Sequence, residues 1–445
     1  MSARLFGTDG VRGVAGVSPL DPPTIARLGA AIVRALHVGR PARIVVGRDT
    51  RESGEWIERE LARGAASQGA RVTSAGILPS PGVAFLAGAL DFDLGVVLSA
   101  SHNAFSDNGI KVFSGRGEKF GETAEREVEA MMADATWQVG RAAEAELEAT
   151  DYVDQYLAHL RRLLPSPGAL AGARIAFDLA NGATTTTARR LFESLGFEVV
   201  TLGDAPNGRN INLACGSTHP ANLAAAVVSH HCRIGVAFDG DGDRAIFVDH
   251  HGHVIDGDAV LLVLARDYQQ RGQLTGDTVV ATVMSNIGLE IALRKHQIRL
   301  LRTPVGDKYV MEEMRRHGYA LGGEQSGHVI LTEHLSTGDG MATALAILRV
   351  MVTSGRELSE LAAELVTFPQ TLVNVRVRDK RPVDDVPEIA AAIRRVETAL
   401  DSRGRLLVRY SGTEPLLRIM IEGEDQASVQ AWAEEIAEAV RQTLA

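Results

Sequence analysis

Apolar and polar positions follow two rhythms along most of the chain. The runs "RIVVGRD" (43–49), "DLGVVLSASHN" (93–103), "ARIAFDLANG" (173–182), "RIGVAFDGDGD" (233–243) and "DTVVATVMSN" (277–286) read as buried strands, each running into a polar loop. Segments at helical spacing lie between them. In "DPPTIARLGAAIVRAL", Asp21 is an N-cap, prolines fill the first turn, and Ile25, Leu28, Ile32 and Leu36 keep one face apolar. Val- and Ile-rich strands alternating with helices predict parallel βαβ units, whose ligands gather at the C-terminal strand ends. The loops carrying Ser101 and Asp239–Asp243 sit at two such ends.

The rhythm changes in the last 75 residues or so. "QTLVNVRVRD" reads as a strand, and a helix follows with Ile389, Ile393, Val396 and Leu400 in phase. "RLLVRYSGTEPLLRIMIE" reads as two strands around a tight turn, and a last helix carries Val429, Trp432, Ile436, Val440 and Leu444. Strands joined by a short turn are antiparallel, so this tail is α+β and a separate domain. "FPQ" at 368–370 is the expected linker. The acidic, Ala-rich stretch 122–150 carries helical pattern and is expected to bridge the first two units.

Composition narrows the class. The chain has 445 residues, 45% of them hydrophobic, enough for several domains with large cores. A net charge of −10, with no block of Lys or Arg, argues against a nucleic-acid partner. Cys215 and Cys232 match neither a metal spacing nor a disulfide framework, which points to a reducing compartment. "MSARLFGTDGVRG" lacks the apolar stretch of a signal peptide. The apolar run "AVLLVLA" falls far short of the roughly 20 residues of a membrane helix. A soluble, cytoplasmic protein with no membrane partner is expected.

Candidate chemistry lies in a few loops. In "FDGDGDRAIFVD", Asp239, Asp241 and Asp243 alternate with glycines at a strand end. Three carboxylates so close repel one another unless a hard cation relieves them, and Mg²⁺ suits such oxygen ligands. A calcium EF-hand is excluded, since Arg244 and His250 stand where it needs Gly and Glu. In "RYSGTEPLLR", a turn with Ser411, Gly412 and Thr413 lies between Arg409 and Arg418, and suits a phosphate dianion as well as an ordinary hairpin. "GGEQSGH" sets Glu324, Ser326 and His328 at alternate positions, a pattern for sugar hydroxyls or a plain polar turn. "FGTDGVRG" carries Arg12 but is no Walker loop. Lys111 and Lys308 are each either functional cations or surface lysines. "DHHGH" at 249–253 reads as a hairpin turn with Gly252 at its tip. Ser101 lacks the G-x-S-x-G context of a serine hydrolase.

Four separated motifs, "SASHN" with "DNGIK", "DGDGDR", "GEQSGH" and "RYSGTEP", resemble the α-D-phosphohexomutase family in their order and span nearly the whole chain. The opening "FGTDGVRG" is similar as well. The resemblance implies an α/β fold of three αβα domains with mixed or parallel sheets plus a smaller C-terminal α+β domain, with the active site in the central cleft. The implied boundaries are 1–150 with a phosphoserine loop, 151–253 with a Mg-binding loop, 254–368 with a sugar-binding loop and 369–445 with a phosphate-binding loop. It implies that Ser101 carries a phosphoryl group and that Asp239, Asp241 and Asp243 hold one Mg²⁺, with the seryl phosphate as a further ligand. Arg12, His102, Lys111 and Arg244 would line the transfer site, with Lys111 as general acid/base. Glu324, Ser326, His328 and Lys308 would hold the sugar. Arg409, Ser411, Gly412, Thr413 and Arg418 would hold the phosphate that is not moving.

Gln325, where relatives acting on mannose or glucose phosphates more often carry Met, points to glucosamine phosphate. The implied reaction interconverts glucosamine 6-phosphate and glucosamine 1-phosphate through a 1,6-bisphosphate that also serves as primer. It would feed UDP-N-acetylglucosamine and cell-wall synthesis. The alternatives are the same chemistry on mannose or glucose phosphates, or a non-catalytic sugar-phosphate binder of this fold. The partner is a small sugar phosphate, and a homodimer is the assembly to test. Two residues depart from the family pattern: Ala104 follows "SHN" and Tyr410 follows Arg409, each in place of a proline. Both substitutions predict looser loops.

Overall fold

A computed structural model describes residues 5–140, 147–411 and 415–445. Among them lie four sheets. The first holds β1 (Val11–Val14), β2 (Arg43–Arg48), β3 (Arg71–Ile77), β4 (Leu94–Leu98), β5 (Asp107–Ser114) and β6 (Glu148–Ala149), in the order β1-β5-β4-β2-β3-β6. The second holds β7 (Arg174–Asp178), β8 (Glu198–Leu202), β9 (Ile234–Phe238), β10 (Ala245–Asp249) and β11 (Val254–Ile255), ordered β11-β10-β9-β7-β8. The third holds β12 (Thr278–Thr282), β13 (Arg299–Thr303), β14 (Leu321–Gly323) and β15 (Val329–Leu331), ordered β13-β12-β14-β15.

Each of these sheets has a parallel core and then reverses. Strands joined through helices pair in parallel: β2 with β3 and β4, β7 with β8 and β9, β12 with β13 and β14. Strands joined directly pair antiparallel: β4 with β5, β9 with β10, β14 with β15. Those three reversals are the loops that carry Ser101, Asp239–Asp243 and Glu324–His328. The repeated strand-to-polar-loop pattern of the sequence is therefore one topological device used three times.

The helix Pro22–Arg34 forms as its pattern predicts. Asp21 accepts from the Thr24 N–H, and Ile25, Leu28 and Ile32 are buried. It joins a core with Ile44, Val46, Ile57, Leu61, Val96 and Ile110. Leu36 lies beyond the helix end and only packs against this core. The 122–150 stretch does not bridge two units as expected. Its helix Glu122–Ala133 buries Val128 in that same core, and β6 extends the first sheet beside β3. Its residues 141–146 lie outside the described ones. The "DHHGH" stretch is the turn between β10 and β11, with Asp249 accepting from the His251 and His253 N–H groups.

The molecule divides into two compact units, one of residues up to Met284 with Gln297–Glu364, the other of Ser285–His296 with Leu365–Ala445. The second unit has the antiparallel sheet β16 (Gln370–Arg376), β17 (Arg405–Tyr410) and β18 (Leu416–Glu422), with β18 central. The helices Pro387–Leu400 and Gln426–Leu444 cover it through Ile389, Val396, Val429, Ile436 and Val440. "FPQ" is not a free linker. The Phe368 N–H donates to Asn286 Oδ1 at 3.0 Å, Gln370 already pairs with Glu422, and the Ile287 N–H donates to Glu422 at 3.1 Å. These bonds are why the helix Ile287–Lys295 groups with the tail.

A histidine pair in the first unit predicts an acid-sensitive stability. The His159 ring stacks between Phe85 at 4.4 Å and His334 at 4.3 Å, and its Nε2 is buried without a hydrogen-bond partner. Burial, and then the neighbouring His334, push its pKa from 6.5 down to about 4. The folded state keeps the ring neutral, whereas the unfolded chain takes up a proton near pH 6.5. This contribution is fully present above 6.5 and is lost as pH falls towards 4. We expect the thermal midpoint to drop over that window and His159→Phe to flatten part of the drop. An unchanged slope in that variant would refute the assignment.

Candidate active site

Ser101 begins the reversal between β4 and β5 with a positive φ of 51°. Such a left-handed backbone on a residue other than glycine persists only where its surroundings hold it, and it recurs at functional sites. The holding groups are all buried. Ser101 N–H donates to Ser99 Oγ at 2.9 Å, and Ser99 Oγ donates to Asp49 Oδ2 at 2.5 Å. Arg51 Nε donates to the same Asp49 oxygen at 2.9 Å. The Arg51 guanidinium reaches the carbonyls of Ser101 (3.0 Å), Asn103 (3.0 Å) and Ala104 (2.7 Å). Asn212 Nδ2 donates to the Ser101 and Asn103 carbonyls at 2.8 and 3.0 Å. The loop is thus clamped at its carbonyls, and Ala104 does not leave it loose.

The second loop meets the first closely. A Cβ on Gly240 would lie 2.5 Å from the Ser101 carbonyl oxygen, so only glycine permits the approach. Ser101 Oγ donates to Asp239 Oδ2, and Ser80 Oγ donates to Asp241 Oδ2. One oxygen from each of Asp239, Asp241 and Asp243 lies within 4.8 Å of the others, all buried. Asp241 Oδ1 and Asp243 Oδ1 are buried with no hydrogen-bond partner. Burial, with Asp243 and Asp241 close by, raises the Asp239 pKa well above the carboxylate range. Orphaned acceptor oxygens converging in a site that resists its own negative charge fit a hard divalent cation.

Positive groups surround this triad. Lys111 Nζ lies 2.8 Å from Asp241, 3.0 Å from Asp9 and 3.3 Å from Asp243. Burial works against its charge, but these carboxylates outweigh it and raise the pKa well above the usual lysine value. Lys111 is therefore a charged donor. Arg12 Nη2 bonds Asp9 at 2.5 Å, and its Nη1 donates to the Ala100 carbonyl. Arg244 N–H donates to Asp239 Oδ1, and its Nη1 donates to His102 Nδ1 at 3.1 Å. Burial and then Arg244 lower the His102 pKa, so that ring is neutral and its Nδ1 accepts.

His328 lies on the far side of Asp243. Its Nδ1 is 3.6 Å from Asp243 Oδ2, and its Nε2 is 3.4 Å from Asp307 Oδ2. The Gly338 N–H, 3.1 Å from Nε2, suits a neutral ring. Burial also opposes charge, yet the two carboxylates prevail and lift the pKa to about 9. Glu324 accepts from the Gly306 N–H and from Ser326 Oγ, both at 3.2 Å. Arg12, His102, Asp243, Arg244, Glu324 and His328 line one cleft of about 490 Å³, within the range of small-molecule sites.

Two expected contacts fall elsewhere. Lys308 is buried with its ammonium 2.8 Å from Glu125, so it is an internal ion pair and not a free cation for substrate. Gln325 donates to Asp256, the N-cap of the helix Gly257–Gln270, at 3.1 Å, and so serves the loop's own anchoring. Arg409, Ser411 and Arg418 belong to the second unit, where Arg409 and Arg418 face each other across β17 and β18 and Ser411 is buried. Tyr410 donates from its hydroxyl to the Arg381 carbonyl at 2.5 Å, which ties the strand end where a proline is usual. Gly412 and Thr413 lie outside the described residues. The sequence reading missed Asp49, Arg51, Ser80 and Asn212, all of which shape the site. The one cue was "GRDTR", an Asp and an Arg at the C-terminal end of β2.

The domain models of phosphoglucomutase/phosphomannomutase match this chain in order: αβα domain I over residues 3–139, domain II over 151–252, domain III over 256–368 and the C-terminal domain over 372–439. The phosphoglucosamine mutase of Solibacter usitatus is 49% identical over 454 residues, covering all of both chains. That of Syntrophotalea carbinolica is 47% identical over 451 residues, covering all of this chain and 98% of its own. The crystal structure of a phosphoglucomutase/phosphomannomutase family protein from Burkholderia thailandensis superposes with a TM-score of 0.81 at 25% identity, over 99% of this chain and 98% of that one.

Proposed function

The chain belongs to the phosphoglucomutase/phosphomannomutase family, and from that premise we propose that it is a phosphoglucosamine mutase, interconverting glucosamine 6-phosphate and glucosamine 1-phosphate. The observation that carries the reading is Ser101 Oγ held on Asp239 beside a cleft lined by Arg12, Arg244, Glu324 and His328. The full-length identity to phosphoglucosamine mutases supports the sugar.

In the proposed reaction Ser101 carries a phosphoryl group. The P–Oγ bond breaks as a bond forms to the free hydroxyl oxygen of the bound sugar phosphate, giving the 1,6-bisphosphate. The bisphosphate turns within the cleft, its other phosphoryl returns to Ser101 Oγ, and the isomer leaves. Each transfer moves one proton from the attacking hydroxyl to the leaving oxygen, which is Ser101 Oγ on the outward step. The charged Lys111 ammonium is assigned to give the leaving oxygen its proton and to be recharged from the hydroxyl. Arg12 and Arg244 neutralise the equatorial oxygens, which is most of what phosphoryl transfer asks of a protein. Asp239, Asp241, Asp243 and the seryl phosphate would hold Mg²⁺, which supplies positive charge to the oxygens of the moving group. Glu324, Ser326 and His328 are assigned to sugar hydroxyls. Arg409, Ser411, Gly412, Thr413 and Arg418 are assigned to the phosphate that stays. Among the described residues no helix is long and apolar enough to cross a membrane, and the proposed setting is the cytoplasm.

Because Gln325 is spent on Asp256, the sugar must be read from turnover. A coupled assay of glucosamine, glucose and mannose 6-phosphates, with Mg²⁺ and trace bisphosphate, tests it. Glucosamine 6-phosphate is expected to lead in kcat/KM. A tenfold preference for glucose or mannose, about 1.4 kcal/mol in transition-state binding, would move the protein to the second reading.

A further inference from the structure

The cleft stands on a closed ring of ionisable side chains in mutual contact. Asp243 contacts Lys111 at 3.3 Å, Lys111 contacts Asp9 at 3.0 Å, and Asp9 contacts Lys119 at 2.6 Å. Lys119 pairs in turn with Asp307, Asp307 lies 3.4 Å from His328, and His328 returns to Asp243 at 3.6 Å. The ring draws on the N-terminal loop, the first sheet, the reversal between β9 and β10, and the start of the helix Asp307–His317. Three of its members, Asp9, Lys119 and Asp307, have no role in the proposed chemistry.

Lys119 is the link farthest from the aspartate triad. It sits on the return of the chain after β5, where it bridges to Phe113, and its side chain is 17% exposed. Its ammonium pairs with Asp9 and Asp307, and so spans the two. Without it, two partly buried carboxylates would each lose a partner. Asp9 would be drawn further towards Lys111 and Arg12, and Asp307 towards His328.

We propose that Lys119 is a positioning residue for phosphoryl transfer: by joining Asp9 to Asp307 it fixes where Lys111 and His328 stand around the aspartate loop. This rests on the mutase reading. Lys111 has three carboxylates to choose among, and the third, Asp9, is held in place by Lys119 and Arg12. A misplacement of about 1 Å at a transfer site costs on the order of 10²-fold in rate.

The test compares the unmodified protein with Lys119→Met and Lys119→Arg, using glucosamine 6-phosphate, Mg²⁺ and trace glucosamine 1,6-bisphosphate. Lys119→Met is expected to lose on the order of 10²-fold in kcat with KM within about threefold, and Lys119→Arg to regain most of the rate, because the fault is geometric. Thermal midpoints and the phosphorylated fraction of Ser101 are measured alongside. Unchanged kcat in Lys119→Met, or a loss that only follows the folded fraction, overturns the proposal. If Lys119→Met is insoluble, Asp307→Asn opens the ring from the other side: a kcat loss at near-constant KM supports the proposal, and retained kcat overturns it. Absence of turnover in the unmodified protein would instead sink the mutase reading and this proposal with it.

Discussion

Ser101→Ala is expected to abolish mutase turnover, by at least about 10⁴-fold, while leaving the fold and substrate binding in place. The hydroxyl is the only group removed, and its contacts are Asp239 Oδ2 and, at 3.4 Å, His102 Nδ1. The clamp on the loop acts on backbone atoms, through Arg51 and Asn212, and survives the change. The left-handed φ of 51° is no harder for alanine than for serine. Calorimetric titration with glucosamine 6-phosphate should therefore give a dissociation constant close to that of the unmodified protein. Turnover in the variant within tenfold of normal would contradict the carrier role.

Arg51→Met is the second large effect. Arg51 and Asp49 both have fully buried side chains, and the guanidinium spends its donors on Asp49 and three loop carbonyls. Burial already raises the Asp49 pKa, and Arg51 is the leading influence opposing it. Removing one partner of a buried pair costs about 3–5 kcal/mol, because the other charge is stranded. The carbonyls of Ser101, Asn103 and Ala104 each lose a donor as well, and Asn212 still reaches only the first two, so the hold of Ser101 on Asp239 loosens. We expect a stability loss of that size in denaturant titration and a fall in kcat of roughly 10²-fold. Arg51→Lys should be only partly better, since an ammonium cannot fork to several acceptors. Normal stability and normal kcat in Arg51→Met would show that something else holds the loop.

Much of this architecture was legible in the sequence. The aspartate loop declared itself because alternating glycines and carboxylates at a strand end have few other uses, and Ser101 because it ends an equivalent strand. The parallel strands followed from their Val- and Ile-rich runs and the helices between them. The antiparallel reversals were harder to see, since "DNGIKVF" and "AIFVD" look like any buried strand. Direction is set by the length of the connection, and three short connections put the three loops where they are.

What stayed hidden was long-range pairing. Lys308 reads as a free cation in "TPVGDKYV" because Glu125 lies 183 residues away. Lys119 and Asp9 carry no local cue for the same reason, since their partners lie on other elements. Ala104 and Tyr410 looked like losses of rigidity because proline acts locally. The compensation came from Arg51, 53 residues earlier, and from a hydroxyl on the Arg381 carbonyl. Local pattern reveals which loops hold chemistry, while the order of those loops is set by charges far apart in the chain.

The central claim is that Ser101 carries the phosphoryl group that passes to the sugar. It is tested most directly by mass spectrometry of the intact protein before and after excess glucosamine 6-phosphate, with the sugar products read in the same sample. The account predicts one phosphoryl group on the starting protein, mapped to Ser101 and absent in Ser101→Ala. It also predicts loss of that group in step with the appearance of glucosamine 1,6-bisphosphate. A protein that turns over substrate at its full rate with no phosphoryl group on Ser101 at any stage would contradict it.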